Sequence, residues 1–469
     1  MLVRRPVFRP NLLTVAYFLA IAGLSIWRAW LMIPGAFDLG FLMGGLGAVL
    51  REGPGAEVPW AGWSLMDDHS SPILLLLSPL AHWRYGALAL ILIQAAAVTW
   101  AVWITYSRCH QHVADRWARW LIPTAVALHP AVLYGVLYDV HAGVIALPIA
   151  ALFTFGIVEQ RRTIVLGAGL ALTLFREDLA VVAVMTSLIN LGRVSRRVAL
   201  VVATTGIAIV AAFLVRSGSG SPGTFSLFGY VDIGDPLNTL VRAFSYLTEG
   251  GWVIAVIIVL LTPWIFIAVP AWRLAVPPIL VVAPLMFAAS PVGRSLAFHY
   301  YAFIPVALAA ATVDRLRIGQ SIGHRRRVVA TGLTAAWAIA GPLGLSMLAR
   351  EYTQNSIPQI IEAQRANGEV ARSLRAAIPC VAETGPLSVD GRVLPYLGNR
   401  HDVRLLPHPF EKLTFSTGLG VIPILDPEPS LRPVALITQL PPASVASTYV
   451  RDAVVDVVWW RKDAVGSCR

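Results

Sequence analysis

Between residues 12 and 349 the chain alternates long apolar runs with short polar connections. A helix rising 1.5 Å per residue needs about 20 apolar residues to cross a hydrocarbon core about 30 Å thick. Runs near that length fall at 12–33, 84–106, 119–137, 142–158, 163–175, 179–194, 198–216, 251–269, 273–290, 300–314 and 327–349. The pattern predicts an all-α polytopic membrane bundle of about 11 transmembrane helices over residues 1–349. Residues 72–82 are apolar but too short to span, which suits an interfacial or re-entrant segment. The runs 163–175 and 179–194 are short as well, and read either as two tilted spans or as one broken hairpin.

From residue 350 the pattern changes: polar residues and prolines increase and apolar runs shorten. Gln359 to Ile378 has helical spacing. Gly385 to Val389 and Pro433 to Ile437 read as short buried strands beside turn signals. A small C-terminal extracytoplasmic α/β domain over 350–469 is expected, packed on the outer face of the bundle.

Composition supports a membrane protein. Charged residues are 13% and hydrophobic residues 57% of the chain, against about 25% charged in a soluble domain; mean hydropathy is +0.68. The net charge of +11 does not point to nucleic acid, because the bases sit in short connections between apolar runs. With Arg4, Arg5 and Arg9 in the cytoplasm, alternate connections hold Arg108, Arg116 and Arg119, then Arg161 and Arg162, then Arg193, Arg196 and Arg197, then Arg273, then Arg315 to Arg327. This positive-inside bias puts the N-terminus inside and the C-terminus outside a bacterial plasma membrane. The first apolar run is too long for a cleaved signal peptide. Of the three cysteines, Cys109 falls in a cytoplasmic connection. Cys380 and Cys468 share the C-terminal segment, where an oxidising compartment permits a disulfide and the alternative is two unpaired thiols.

The acids near span ends lie almost entirely on the other side. The stretch 34–72 is an acidic, aromatic, Gly/Pro-punctuated outer loop carrying Asp38, Asp67, Asp68 and His69. Asp139 and His141 occupy a short outer turn. Arg176, Glu177 and Asp178 interrupt an apolar pair, and Arg294 and His299 flank another span start. Ionisable groups in or near a bilayer cost about 2.5–3.5 kcal/mol each on insertion scales, so their gathering predicts one polar cavity at the outer surface. Each also has a plainer structural use. Asp38 and Asp139 suit helix caps, Arg176 to Asp178 an internal ion pair, Asp67 to His69 a solvated loop, and His299 an interfacial position. The other histidines form no metal-ligand spacing.

No phosphate-cradling GxxxxGK[ST] loop, GxSxG, HExxH or CxxC occurs. The absence of a nucleotide loop argues against ATP-driven transport and fits a donor arriving through the lipid. In order, the chain reads Phe37-Asp38-Leu39-Gly40, Asp68-His69-Ser70-Ser71-Pro72, Tyr138-Asp139-Val140-His141, Phe175-Arg176-Glu177-Asp178, His299-Tyr300-Tyr301 and Leu394-Pro395-Tyr396-Leu397-Gly398-Asn399-Arg400. This order resembles a family of uncharacterised bacterial polytopic membrane proteins with DLG, HFSP, KED and HYY-type motifs, grouped with the GT-C glycosyltransferase superfamily. His69-Ser70-Ser71-Pro72 departs from it by losing an aromatic, Val140-His141-Ala142 by losing a proline, and Arg176 stands in place of a lysine.

That resemblance implies a GT-C-like bundle transferring a sugar from a polyprenyl-phosphate donor to an extracytoplasmic cell-envelope glycan or lipid acceptor. Asp38 is then the catalytic base. Asp67, Asp68, His69, Asp139, His141, Arg176, Glu177, Asp178, Arg294 and His299 bind or orient substrate, with Arg176 and Arg294 facing the departing phosphate. Asp38 and Asp68 are the ligands if a divalent ion, Mg2+ or Mn2+, is used; no nucleotide cofactor is implied. The competing readings are a membrane transporter or lipid-linked glycan flippase, and a non-catalytic membrane scaffold.

Overall fold

The computed structural model describes residues 12–30, 36–58, 61–69, 71–217, 260–262, 264–267, 271–286, 301–317, 323–336 and 371–381, with short segments between 387 and 461. Among the described residues up to 336, helices dominate. Those used below are α1 (Leu12–Trp30), α2 (Phe41–Glu52), α3 (Leu65–Asp68), α4 (Gly86–His112), α5 (Arg116–Ala127), α6 (Pro130–Tyr138), α7 (Ala142–Ile145), α8 (Leu147–Val158), α9 (Arg162–Thr173), α10 (Glu177–Ile189), α11 (Arg196–Ser217), α12 (Trp264–Ile267), α13 (Trp272–Met286) and α14 (Ile304–Leu316).

Among the described residues, three helices are long and apolar enough to cross a membrane: Leu12–Trp30, Gly86–His112 and Arg196–Val215. A fourth span forms if Arg116–Ala127 and Pro130–Leu137, bent by 40° at a short break, are taken together. The bend has a local cause. Pro130 has no amide to donate, and His129 caps the second helix by accepting the Ala131 amide at its Nδ1 (3.1 Å). Most apolar side chains on α1 and α11 face outward, whereas the span in α4 is mostly buried. The chain is thus a helical membrane protein with α4 inside and α1 and α11 at the rim.

Packing centres on α14, α8 and α4, which touch one another. Every residue of α14 except Arg315 is buried. Its Ala307, Ala309, Ala310 and Ala311 allow the close helix approach that small residues give in membranes. The run 72–82 forms an eleven-residue 3-10 helix, Pro72–His82. The two short runs resolve into separate helices, α9 and α10, of 12 and 13 residues. They meet at the turn Leu174 to Arg176.

The stretch expected as an outer loop is mostly helical. Ala36–Gly40 forms a π-helix that continues into α2, and Phe41 to Ala48 are all buried. Small residues contribute: a Cβ on Gly45 would meet the Leu65 Cβ at 3.0 Å, so a larger residue there would push α2 and α3 apart by a few tenths of an ångström. The first span is described as far as Trp30, residues 31–35 lie outside the described residues, and Asp38 stands on the π-helix Ala36–Gly40.

Towards the C-terminus lies a helix at 371–380 and a five-stranded mixed sheet. Its strands are β1 (Leu387–Val389), β2 (Val403–Leu405), β5 (Ala435–Ile437), β6 (Tyr449–Arg451) and β7 (Val458–Arg461), in the order β2-β1-β5-β7-β6. β1 runs parallel to β2 and β5, and β7 antiparallel to β5 and β6. A separate antiparallel pair joins β3 (Leu413–Thr417) and β4 (Gly420–Leu425). The two strands expected from sequence are therefore β1 and β5, hydrogen-bonded neighbours. Cys380 is disulfide-bonded and Cys109 is free and buried; Cys468 lies outside the described residues.

The helix ends sort into two polar faces. At one, Glu159 takes Arg108 (3.1 Å), His112 (2.8 Å) and Arg161 (3.8 Å), while Arg193 pairs with Asp314 (2.6 Å) and Arg327 with Asp115 (2.8 Å). The turn beside Glu159 carries Gln160 at φ 57°. The Arg161 amide returns to the Gly156 carbonyl at 2.9 Å and that of Gln160 to Ile157 at 3.2 Å, a Schellman ending that normally employs glycine. A left-handed backbone costs a side-chain-bearing residue about 1–2 kcal/mol. Gln160→Gly is therefore expected to raise stability by roughly 1 kcal/mol, read as a higher unfolding midpoint in detergent; a lowered midpoint would contradict this.

Candidate active site

The opposite face is built on the turn Tyr138-Asp139-Val140-His141. Here α6 ends, leaving carbonyls that have no partner within the helix on residues that are buried, where an unmade backbone bond is costly. Gln94, a buried amide within α4, supplies the partner. Its Nε2 donates to the Asp139 carbonyl at 2.6 Å and lies near those of Val136 (3.2 Å) and Gly135 (3.4 Å). Its Oε1 accepts the His141 amide at 2.7 Å. Both flanks of the turn are thereby held by one side chain. The Asp139 carboxylate accepts the Val140 amide at 2.8 Å, and Asp139 and His141 are both buried.

His141 Nδ1 stands 3.6 Å from Asp38 Oδ1, within ion-pair range and beyond a hydrogen bond. The Asp38 side chain remains 32% exposed, so this carboxylate connects a buried imidazole to the outside. Its position on a π-helix is of a kind that recurs at functional sites. Burial holds the His141 pKa well below the usual 6.5, and the charges of Arg176 and His69 push it further down. At neutral pH the imidazole is uncharged.

The turn between α9 and α10 supplies the other wall. Arg176 has extended backbone and a buried side chain whose fork closes on Asp178 through Nε (3.1 Å) and Nη2 (3.0 Å). Asp178 also accepts the Leu179 amide at 2.7 Å. Arg176 packs over α7, where a Cβ at Gly143 would lie 3.9 Å from its Cδ and Nη1. Glu177 is fully buried, its Oε1 2.9 Å from His69 Nδ1. Burial alone would raise the Glu177 pKa; the charge and hydrogen bond of His69, helped by Arg176, reverse this and hold it low. A backbone bond from the Ile73 amide to the Leu174 carbonyl (3.1 Å) ties the segment after His69 to the same turn.

Asp38, His69, Asp139, His141, Arg176, Glu177 and Asp178 thus come together from four separated stretches. Asp67 stands apart in role: its Oδ2 accepts the Ser64 amide (3.0 Å) and hydroxyl (2.7 Å), a capping box at the start of α3. Asp68 ends α3 and its side chain lies outside the described residues, as do Arg294 and His299. Among the described residues no group of three or more His, Cys, Asp or Glu is arranged to hold a metal ion.

Two contributors had no site role assigned from sequence, although one of them stands in the Leu394 to Arg400 stretch. Gln94 is one; its only signal is an amide inside an apolar run. Tyr396 is the other. Its 3-10 turn, Leu394–Tyr396, packs against the Asp38 π-helix, α2 and α4. Its hydroxyl donates to the Ala29 carbonyl at 3.2 Å.

The family model described as "Predicted membrane protein (DUF2079)" matches residues 28–417. The chain belongs to that family. No curated protein and no solved structure matches the chain. The matched span reaches from the end of α1 past the Tyr396 turn and includes every residue of the site.

Gln94→Leu orphans a buried carbonyl and a buried amide, at about 1–3 kcal/mol each. The expected result is a lower unfolding midpoint and an Asp38 more reactive to carbodiimide; unchanged reactivity would remove Gln94 from the site. A second expectation concerns pH. His141 and Glu177 have depressed pKa values, so each binds fewer protons folded than unfolded and stability rises with pH. The His141 contribution is complete above about pH 6.5 and is lost as pH falls from there; that of Glu177 follows below about pH 4.3. The unfolding midpoint should drop between pH 7 and pH 5, and His141→Gln should flatten that drop. An undiminished slope in the variant would assign it elsewhere.

Proposed function

We propose that this membrane protein is a glycosyltransferase that moves a sugar from a polyprenyl-phosphate donor to an extracytoplasmic glycan or lipid acceptor. The observation that carries the reading is the partly exposed Asp38 carboxylate beside a buried, uncharged His141, with Arg176 and its partners behind them. A glycosyl transfer at a membrane surface requires a base reachable by the acceptor and a positive field for the phosphate, both near lipid. The acceptor hydroxyl oxygen attacks the anomeric carbon. The bond from that carbon to the phosphate oxygen breaks, and its electron pair leaves with the polyprenyl phosphate. The acceptor proton passes to Asp38, a step that typically contributes 10²–10⁴-fold. Direct attack inverts the anomeric centre.

In this scheme Asp178 holds Arg176 by its Nε and Nη2, and the guanidinium supplies field to the phosphate rather than an unengaged fork. His69 with Glu177, and Asp139 with His141, fix the walls. Eleven spans, with the arginine-rich face cytoplasmic and the Asp38 face outside, complete the proposal. It is supported by the separation of the two polar faces and by the disulfide at Cys380, a bond that persists in oxidising compartments.

One observation favours a second reading, a transporter. The buried Glu177 forms an ionisable pair with the partly exposed His69, a feature that also marks transport pathways.

Asp38→Asn, purified in folded form and supplied with polyprenyl-phosphate sugars, should lose 10²–10⁴-fold in transfer; near-wild-type turnover would remove Asp38 as the base. If neither the native protein nor the variant transfers sugar, and Glu177→Gln abolishes solute uptake into proteoliposomes, the transporter reading replaces it. The orientation has its own check. In intact cells a membrane-impermeant reductant followed by an impermeant maleimide should label Cys380 and leave Cys109 unlabelled. Labelling that requires lysis would place the C-terminal segment in the cytoplasm.

A further inference from the structure

The outer end of α1 is covered from far along the sequence. The carbonyls of Ala29 and Trp30, the last two described residues of α1, both receive donors from the C-terminal segment. The Tyr396 hydroxyl bonds the Ala29 carbonyl (3.2 Å). Arg375, on the helix at 371–380, donates to the Trp30 carbonyl and lays its guanidinium 4.0 Å from the Trp30 ring centroid. The contact continues past α1. The turn Leu394–Tyr396 packs directly on the π-helix that carries Asp38, and on α2 beyond it. Val393, Leu394 and Leu397 are buried. Burial raises the Tyr396 pKa to about 12; Arg375 works against this shift, and the nearby Asp139 carboxylate adds to it. Tyr396 therefore lies between the end of the first span and the turn that faces Asp38.

We infer that Tyr396 and Arg375 form a two-point clamp on the outer end of α1, and that Tyr396 is a positioning residue for the Asp38–His141 pair. The clamp acts by geometry. Arg375 holds α1 at Trp30, and from there the chain has only a short reach to the π-helix. The Tyr396 turn bears on the π-helix itself, so Asp38 meets His141 only while the C-terminal segment is seated. The site is shared between the helical bundle and the segment beyond residue 371, and its integrity depends on both. The inference needs the Asp38–His141 geometry but not the transfer reaction assigned to it, so its test reads structure rather than turnover.

The test is hydrogen–deuterium exchange on the full-length protein in lipid nanodiscs, followed in peptides covering residues 24–48 and in peptides from α9 to α11 as an internal control. Tyr396→Phe removes only the hydroxyl, and Arg375→Met keeps the stem while removing the donors. Each alone should speed exchange in 24–48 several-fold, and together at least 10-fold, with the control peptides unchanged. Carbodiimide labelling of Asp38 should rise in parallel. Unaltered exchange and labelling in the double variant would overturn the clamp. An equal rise in all peptides would also overturn it, since a local clamp cannot loosen α9 to α11. If the double variant does not fold, Tyr396→Phe alone decides by the same readings. Because no sugar donor enters the measurement, failure of the transferase assay leaves this result standing, and the reverse holds as well.

Discussion

A charge buried in an apolar bundle survives only with a partner, and that constraint shapes this end of the molecule. The effective desolvation penalty is several kcal/mol per ion, and breaking a buried pair by deleting one member typically costs 3–5 kcal/mol. Glu177 is fully buried and has His69 at 2.9 Å; Arg176 is nearly so and has both oxygens of Asp178. These pairings cannot be exchanged freely. His69 must reach α10, so the segment from His69 into the 3-10 helix is drawn against the turn at Leu174. Arg176 must lie over α7, which brings its charge to bear on His141. The pairing rule thus fixes the relative positions of elements about a hundred residues apart in the sequence.

Within that frame the backbone is subject to the same rule. A turn between two helices exposes carbonyls and amides that water would satisfy in a soluble protein. Here Gln94 reaches across from α4 and bonds both sides of the Asp139 to His141 turn. The Trp30 end of α1 is treated similarly by Tyr396 and Arg375. Of the described charged groups at this site, the Asp38 carboxylate keeps the most access to solvent, ahead of His69 and Asp178. The opposite face holds a different kind of cluster, arginines and a histidine gathered on Glu159 and separate Arg–Asp pairs. The two faces differ in sign as well as in position, which is the physical ground for treating only one as a site.

Much of this was legible in the sequence because it follows from cost. Asp38, Asp139, His141, Arg176, Glu177 and Asp178 stand out beside apolar runs, where an ionisable group is expensive, and the structure brings them together. The helical nature of residues 36 to 52 was not legible by the same means. Its glycines at 44, 45 and 47 and the neighbouring Pro34 and Pro54 carry turn signals, whereas Gly45 lies within α2 where it packs closely on Leu65 of α3. Asp67 has a local role in the capping box with Ser64, three residues earlier, at the start of α3. Gln94 and Tyr396 escaped because their roles depend on contacts across the fold. An amide in a hydrophobic helix has no motif, and a tyrosine in a distant turn gives no sign of which helix end it will cover.

The central claim is that Asp38 meets His141 at the mouth of one charge-paired site, and proximity tests it most directly. Asp38→Cys combined with His141→Cys, in a Cys109→Ala background, would be treated in native membranes with a thiol crosslinker a few ångströms long. Cleavage of the connecting chain would follow. Fragments that remain joined are the predicted result, with little reaction when Asp38→Cys is paired instead with a cysteine at Arg161 on the opposite face. Fragments that separate fully, while Asp38→Cys alone labels as fast as a water-exposed thiol, would contradict it.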